Sequence, residues 1–157
     1  MSQIATRLTE MGLVLPAPPV AAVGAFSRVR VLGTRAVVSG HGPQVTGGTF
    51  WPRFGKVGAE VSAEEAKQAA RLVALAILGS LQQAIGDLDR VTAWVRVFGM
   101  INAAPGFREL SPVMNGFSEL ILDLYGPAIG AHARTVIGVS ELPFGLPLEI
   151  EAEVEIS

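Results

Sequence analysis

The chain has 157 residues, no cysteine, a formal net charge of −2 and a pI near 5.7. Disulfides, thiolate nucleophiles and zinc–thiolate sites are excluded, and the absence of a Lys/Arg run argues against nucleic acid, whose phosphates need a basic footprint. Half the residues are apolar, 17% are charged and the mean hydropathy is +0.45, which predicts apolar surface shared with partner subunits.

This length suits a single domain spanning 1–157. The longest apolar run, Leu72 to Leu78, is too short to span a bilayer. The first ten residues, MSQIATRLTE, carry polar residues where a secretory signal needs an apolar core, so a soluble cytoplasmic protein without membrane contact is expected.

Residues 2–11 predict a short amphipathic helix with Ile4, Leu8 and Met11 on one side, stopped by Gly12. Pro16, Pro18 and Pro19 then impose an extended segment, and 1–25 read as an N-terminal extension packed on the outside. Phe26 to Gly42 reads as a hairpin turning at Gly33-Thr34, and Pro43 ends the ladder. The Gly-rich stretch 44–58 holds Phe50, Trp51 and Phe54 and predicts a loop covering a site.

Ser62 and Glu65 form a capping box ahead of a helix whose apolar stripe is Ala66, Ala70, Val73, Ile77, Leu81 and Ala84, ended by Gly86. Arg90 to Ile101 predicts a strand apolar on both faces, with Val91, Ala93, Val95 and Val97 on one and Trp94, Phe98 and Met100 on the other. Helices can cover only one of these faces, so the second is expected to meet another subunit. Ser111 predicts the N-cap of a second helix with Pro112 at its first position, and Gly126-Pro127 its end.

Two strands close the chain, Arg134–Ser140 and Leu148–Ile156, joined by a connection that Pro143, Gly145 and Pro147 make a wide hairpin or a looped crossover. In the last strand Leu148, Ile150, Ala152, Val154 and Ile156 alternate strictly with Glu149, Glu151, Glu153 and Glu155. The order ββ–α–β–α–ββ predicts an α+β domain with two helices on one sheet face.

Few residues invite chemistry. There is no nucleophile triad, no dinucleotide or Walker pattern, and no metal-ligand spacing between the two histidines, His41 and His132, so neither cofactor nor metal is expected. Arg134, opening a Val/Ile-rich strand, needs an anionic partner. The residues alone favour a structural salt bridge to a C-terminal glutamate over a clamp on a substrate carboxylate. A solvated strand face is the plain reading of the glutamates and is kept for Glu151, Glu153 and Glu155.

The runs Ala133-Arg134-Thr135, Glu141-Leu142-Pro143 and Glu149-Ile150-Glu151 resemble, in order and spacing, the C-terminal signature of the RidA/YjgF family, the enamine/imine deaminases also labelled endoribonuclease L-PSP. The resemblance covers roughly 26–156. It implies a chorismate-mutase-like α+β fold, a homotrimer with clefts between subunits, and hydrolysis of 2-imino or 2-enamino acids to 2-keto acids and ammonia without a cofactor. A non-catalytic trimer binding a carboxylate metabolite is the alternative, and the ribonuclease label conflicts with the acidic pI.

The resemblance also implies roles. Arg134 would hold the substrate carboxylate, and Glu149 would position or deprotonate the attacking water. Ser39-Gly40 would line the cleft, and Asn115 would border it from a helix. Phe26 stands where many members have a tyrosine and His41 where they often have a glutamine; together they would close one wall of the substrate pocket, with His41 offering a general base or an extra donor there. These two, the long loop 44–58, the extension 1–25 and a longer connection between Asn115 and Arg134 mark a divergent branch.

Overall fold

A computed structural model describes residues 2–17 and 25–157. Pro18 and Pro19 of the expected extended segment lie outside the described residues. Three helices, α1 (Gln3–Glu10), α2 (Ala63–Ile85) and α3 (Leu110–Gly130), accompany five strands. The strands are β1 (Val29–Leu32), β2 (Arg35–His41), β3 (Val91–Asn102), β4 (Ala133–Val139) and β5 (Leu148–Ile156). They form one sheet in the order β1-β2-β5-β3-β4, antiparallel except for the parallel β3–β4 pair. The last two strands are therefore not a hairpin: the Pro/Gly connection carries the chain from the edge across β3 to the sheet's centre.

That central place explains the alternation in β5. Leu148, Ile150, Ala152, Val154 and Ile156 are all buried beneath the helices, while the glutamates face the other side. On α2 the Ser62 hydroxyl accepts from the Glu65 amide at 3.2 Å and Glu65 accepts from the Ser62 amide at 2.9 Å, the expected capping box. Of its predicted stripe only Ala84 is exposed. Helix α2 packs on β1, β2 and β5, and α3 on β3 and β4, so both cover one face. They meet where Gly116 faces the Lys67 carbonyl, an approach that a Cβ would block. The fully buried Phe117, Ile77, Leu81 and Trp94 anchor this core, and truncating such an aromatic to alanine costs about 3–5 kcal/mol.

Three local expectations change. In β3, irregularities between Val91 and Ala93 and between Trp94 and Arg96 shift the alternation, so Val91, Trp94, Val97 and Ile101 face the helices. Phe98 and Met100 stay on the open face, where Val95 is also exposed. Helix α3 starts at Leu110 with Glu109 at its N-cap and no side-chain cap; Ser111 lies inside the first turn with its hydroxyl turned elsewhere. Gly126 breaks the helical path at φ 71°, and Pro127 begins one further turn.

The N-terminal helix is docked rather than loose. Asp89, in the short 3-10 turn Leu88–Arg90, accepts from the Ser2 hydroxyl (2.9 Å) and from the Gln3 (2.6 Å) and Ile4 (2.9 Å) amides, answering the unpaired donors of the first turn. Ile4 and Leu8 are buried, whereas Met11 is exposed. Among the described residues no helix is long and apolar enough to cross a membrane, and no group of three or more acidic or imidazole side chains is placed to hold a metal ion.

Candidate functional site

Arg134 sits opposite Val97 in the parallel β3–β4 pair, and Val97 is buried under the helices. Its guanidinium accordingly turns to the helix side of the sheet, against α3. Nη1 donates to Asn115 Oδ1 (2.9 Å) and Ser118 Oγ (3.1 Å), and Nη2 donates to Ser111 Oγ (2.8 Å). The spacing of Ser111, Asn115 and Ser118, about one helical turn each, puts all three oxygens on one face of α3. The expected salt bridge to a C-terminal glutamate does not form, because those carboxylates occupy the opposite face of the sheet. Arg134 makes no ion pair among the described residues. Three neutral acceptors fix its direction and leave its charge uncompensated.

His132 supports this arrangement. Its Nδ1 lies 2.7 Å from the Gly130 carbonyl, which can only accept, so Nδ1 carries the proton. Nε2 then accepts from the Ser118 hydroxyl at 2.9 Å, and the Ser118 lone pairs are left for Arg134. Burial lowers the His132 pKa, with the Arg134 charge adding to it, against the opposing Gly130 bond. The neutral imidazole this favours is the form that keeps the chain of hydrogen bonds in register.

The second group of residues lies on the open side of the sheet. Glu149 folds over Gly40, where an added Cβ would overlap its carboxylate, so β2 carries a glycine at this position for close approach and not for an unusual backbone angle. Burial pushes the Glu149 pKa up, and the neighbouring Glu151 charge adds to the shift. It is the one carboxylate lining a cleft of about 400 Å³ whose other principal walls are Phe26, Arg28, Gln44, Phe50 and Phe144.

Two loops build the aromatic wall of this cleft. Phe50 comes from the 44–58 loop, as anticipated for an aromatic-bearing cover, and its ring lies 5.6 Å from that of Phe144. Phe144, between Pro143 and Gly145, is the one non-glycine residue at positive φ (60°) among those described, a strained conformation that projects the ring outward. Gly55 donates to the Gly145 carbonyl at 2.8 Å. Buried Asn102 bridges the loops further, accepting from Lys56 Nζ at 2.8 Å and donating to the Leu146 carbonyl at 3.3 Å.

Phe26, Gly40 and Glu149 are thus brought together, and Arg134 is brought to Asn115, but the two groups occupy opposite faces of one chain's sheet. Ser39 contributes by position: its amide and hydroxyl donate to the Arg28 carbonyl at 2.9 and 3.2 Å. His41 does not line the cleft. After the register shift between Val38 and His41 it pairs with Ile150 on the core side, where Nδ1 bonds the Ser39 carbonyl (2.6 Å) and Nε2 the Ser80 hydroxyl (2.8 Å). Burial lowers its pKa to about 4, so it is a neutral strut and not a base or donor in the cleft. Sequence reasoning missed Arg28, Ser111, Ser118, His132 and Phe144. Period two places Arg28 with Phe26, and helical spacing joins Ser111 and Ser118 to Asn115; those were the available signals.

Residues 5–148 match the family described as "YjgF/chorismate mutase-like, putative endoribonuclease". The chain belongs to this family. A Trypanosoma cruzi protein called TCP17 is 39% identical over 156 residues, covering 99% of this chain and 95% of the relative. The solved structure of Agrobacterium tumefaciens Atu1372, a protein of unknown function, is 34% identical with a TM-score of 0.86, covering 98% of this chain and 91% of that one. A Shewanella oneidensis protein with the same endoribonuclease label is 28% identical with a TM-score of 0.91, covering 98% and 99%. The α+β fold is the chorismate-mutase-like fold of the YjgF family, and these likenesses extend through the N-terminal helix.

Proposed function

We propose that this YjgF/RidA-family protein hydrolyses reactive 2-imino and 2-enamino acids to 2-keto acids and ammonia, in clefts shared between subunits of a homotrimer. The observation that carries the reading is the uncompensated charge of Arg134. A guanidinium aimed by three neutral oxygens is a preorganised receptor for a carboxylate. Its Nε–H is not used by these bonds and remains for an incoming oxygen.

Glu149 supplies the second half. Water adds to the electrophilic imine carbon as Glu149 accepts its proton, forming the C–O bond and placing the electron pair on nitrogen. Glu149 passes that proton to the nitrogen, the hydroxyl of the resulting carbinolamine gives up its own proton to the same nitrogen, and the C–N bond breaks to release ammonia as the carbonyl forms. Water and imine account for every atom of keto acid and ammonia. A carboxylate whose pKa burial has raised holds the transferred proton better than an ordinary one. Since one chain places Arg134 and Glu149 on opposite faces, a neighbouring subunit's Arg134 would complete the cleft of this chain's Glu149. The exposed Val37, Val95 and Ile137 provide apolar surface for such packing.

The test is keto-acid formation from freshly generated 2-iminobutanoate by wild type, Arg134→Ala and Glu149→Gln, with solution mass measured alongside. Acceleration lost in both variants supports the reading, and a monomeric mass removes the shared cleft. A second reading, carboxylate binding without turnover, is favoured by Phe26, which brings no hydroxyl, and by the inward His41. It predicts carboxylate-dependent thermal stabilisation with no acceleration.

A further inference from the structure

We infer that Arg28 is a second anion-binding group in the Glu149 cleft, and that the ligand therefore bears a side-chain carboxylate besides its α-carboxylate: the imine of a dicarboxylic amino acid in preference to that of an alkyl one. This rests on the reading above for the α-carboxylate, which Arg134 would hold.

Arg28 is half-buried and lines the cleft with Glu149. Its backbone is pinned by the two Ser39 hydrogen bonds to its carbonyl, so the position from which its side chain springs is set. Its guanidinium makes no ion pair or hydrogen bond among the described residues, and 18–24 contain no acidic side chain to answer it. Arg90, by contrast, donates to the Ile85 and Ser157 carbonyls at 3.0 Å each, and Arg53 pairs with Glu65. Arg28 and Glu149 share a cleft yet form no ion pair, which leaves the space between them to a ligand.

The surroundings sharpen the selection. Phe26, Phe50 and Phe144 wall the cleft, so a ligand entering it displaces water from the cation. An alkyl side chain would leave a desolvated guanidinium unanswered, which is costly, whereas a carboxylate two or three carbons from the imine would pair with it. Gln44, buried in the lining of the same cleft, offers an amide donor. With Glu149 alone the cleft would repel a second carboxylate. Arg28 reverses that preference, and pairing with a charge that the ligand itself desolvates discriminates more sharply than apolar fit.

The experiment has a kinetic and a binding arm, both on the intact protein. Turnover of 2-iminoglutarate and 2-iminobutanoate generated in situ is compared for wild type, Arg28→Gln and Arg28→Lys. Binding of 2-oxoglutarate and 2-oxobutanoate is measured by calorimetry on the same three proteins. The expected wild-type preference for the dicarboxylate is about tenfold to hundredfold. It collapses in Arg28→Gln and survives in part in Arg28→Lys, while 2-oxobutanoate binding does not weaken in Arg28→Gln, since the unanswered cation is gone. Equal binding of the two keto acids by wild type overturns the inference, as does a loss in Arg28→Gln that weakens both ligands alike. If no imine is turned over but dicarboxylate binding is selective and Arg28-dependent, the deaminase reading fails while this one stands. Should Arg28→Gln not fold, the wild-type selectivity and Arg28→Lys still decide it.

Discussion

Replacing Gly40 with alanine isolates what the Glu149 carboxylate contributes. Gly40 is not at positive φ, so alanine meets no backbone penalty there. The new methyl would instead overlap Glu149 Oε1 and lie 2.7 Å from Cδ and 3.0 Å from Cγ. Glu149 must rotate away, and the off-rotamer cost is about 0.5–1.5 kcal/mol. In a chain of this size that lowers the unfolding midpoint by about 2–4 °C per kcal/mol. On the proposed deaminase reading turnover should suffer more, because a reacting group misplaced by about 1 Å can lose a hundredfold in rate. The assay is a double-mutant cycle: thermal midpoints of Gly40→Ala, Glu149→Ala and the double variant, with kcat/KM for an imine substrate measured on the first. In the Glu149→Ala background the methyl has nothing to strike, so Gly40→Ala should then cost little. Equal destabilisation in both backgrounds would refute the argument that this glycine exists to let Glu149 lie over the strand.

Burial holds His41 at a pKa of about 4 against an ordinary 6.5, so between those values the unfolded chain binds a proton that the native one does not. Stability from this residue is fully present above pH 6.5 and lost as the pH falls toward 4, by up to about 3 kcal/mol, and His41→Gln should flatten that part of the urea-stability profile. Asn102→Ala removes the bridge to Lys56 and Leu146 and should cost about 1–3 kcal/mol in denaturant unfolding, with faster amide exchange around 143–147. Asp89→Ala strips the cap from α1, so exchange protection at Gln3 and Ile4 should fall while the amides of β5 stay protected.

Much of this protein was determined by sequence alone. The strict alternation of β5 follows from burial on one face, and the capping box of α2 from the reach of Ser62 and Glu65 to backbone amides three residues away. The glycines and prolines that punctuate the chain act through local backbone geometry. All of these are short-range effects, legible in neighbouring residues. The family signature around Arg134 and Glu149 was likewise readable as a string.

Tertiary structure decided the rest, because the deciding partners are far apart in the chain. Local irregularities in β3 turned Trp94 toward the core, which a strict period of two assigns to the other face. A register shift in β2 sent His41 inward to Ser80, thirty-nine residues away. The crossover that lodges β5 between β2 and β3 put Glu149 against Gly40 and kept it from Arg134, whose oxygens come from α3 instead. Ser111, which looks like a cap, serves that arginine. Arg28 comes to share a cleft with Glu149, Phe50 and Phe144 only through the folding of the loops that carry those two rings. Sequence specifies which groups prefer burial, pairing or a turn; packing selects which of them meet, since each long-range contact forms only where the whole sheet and its helices permit it.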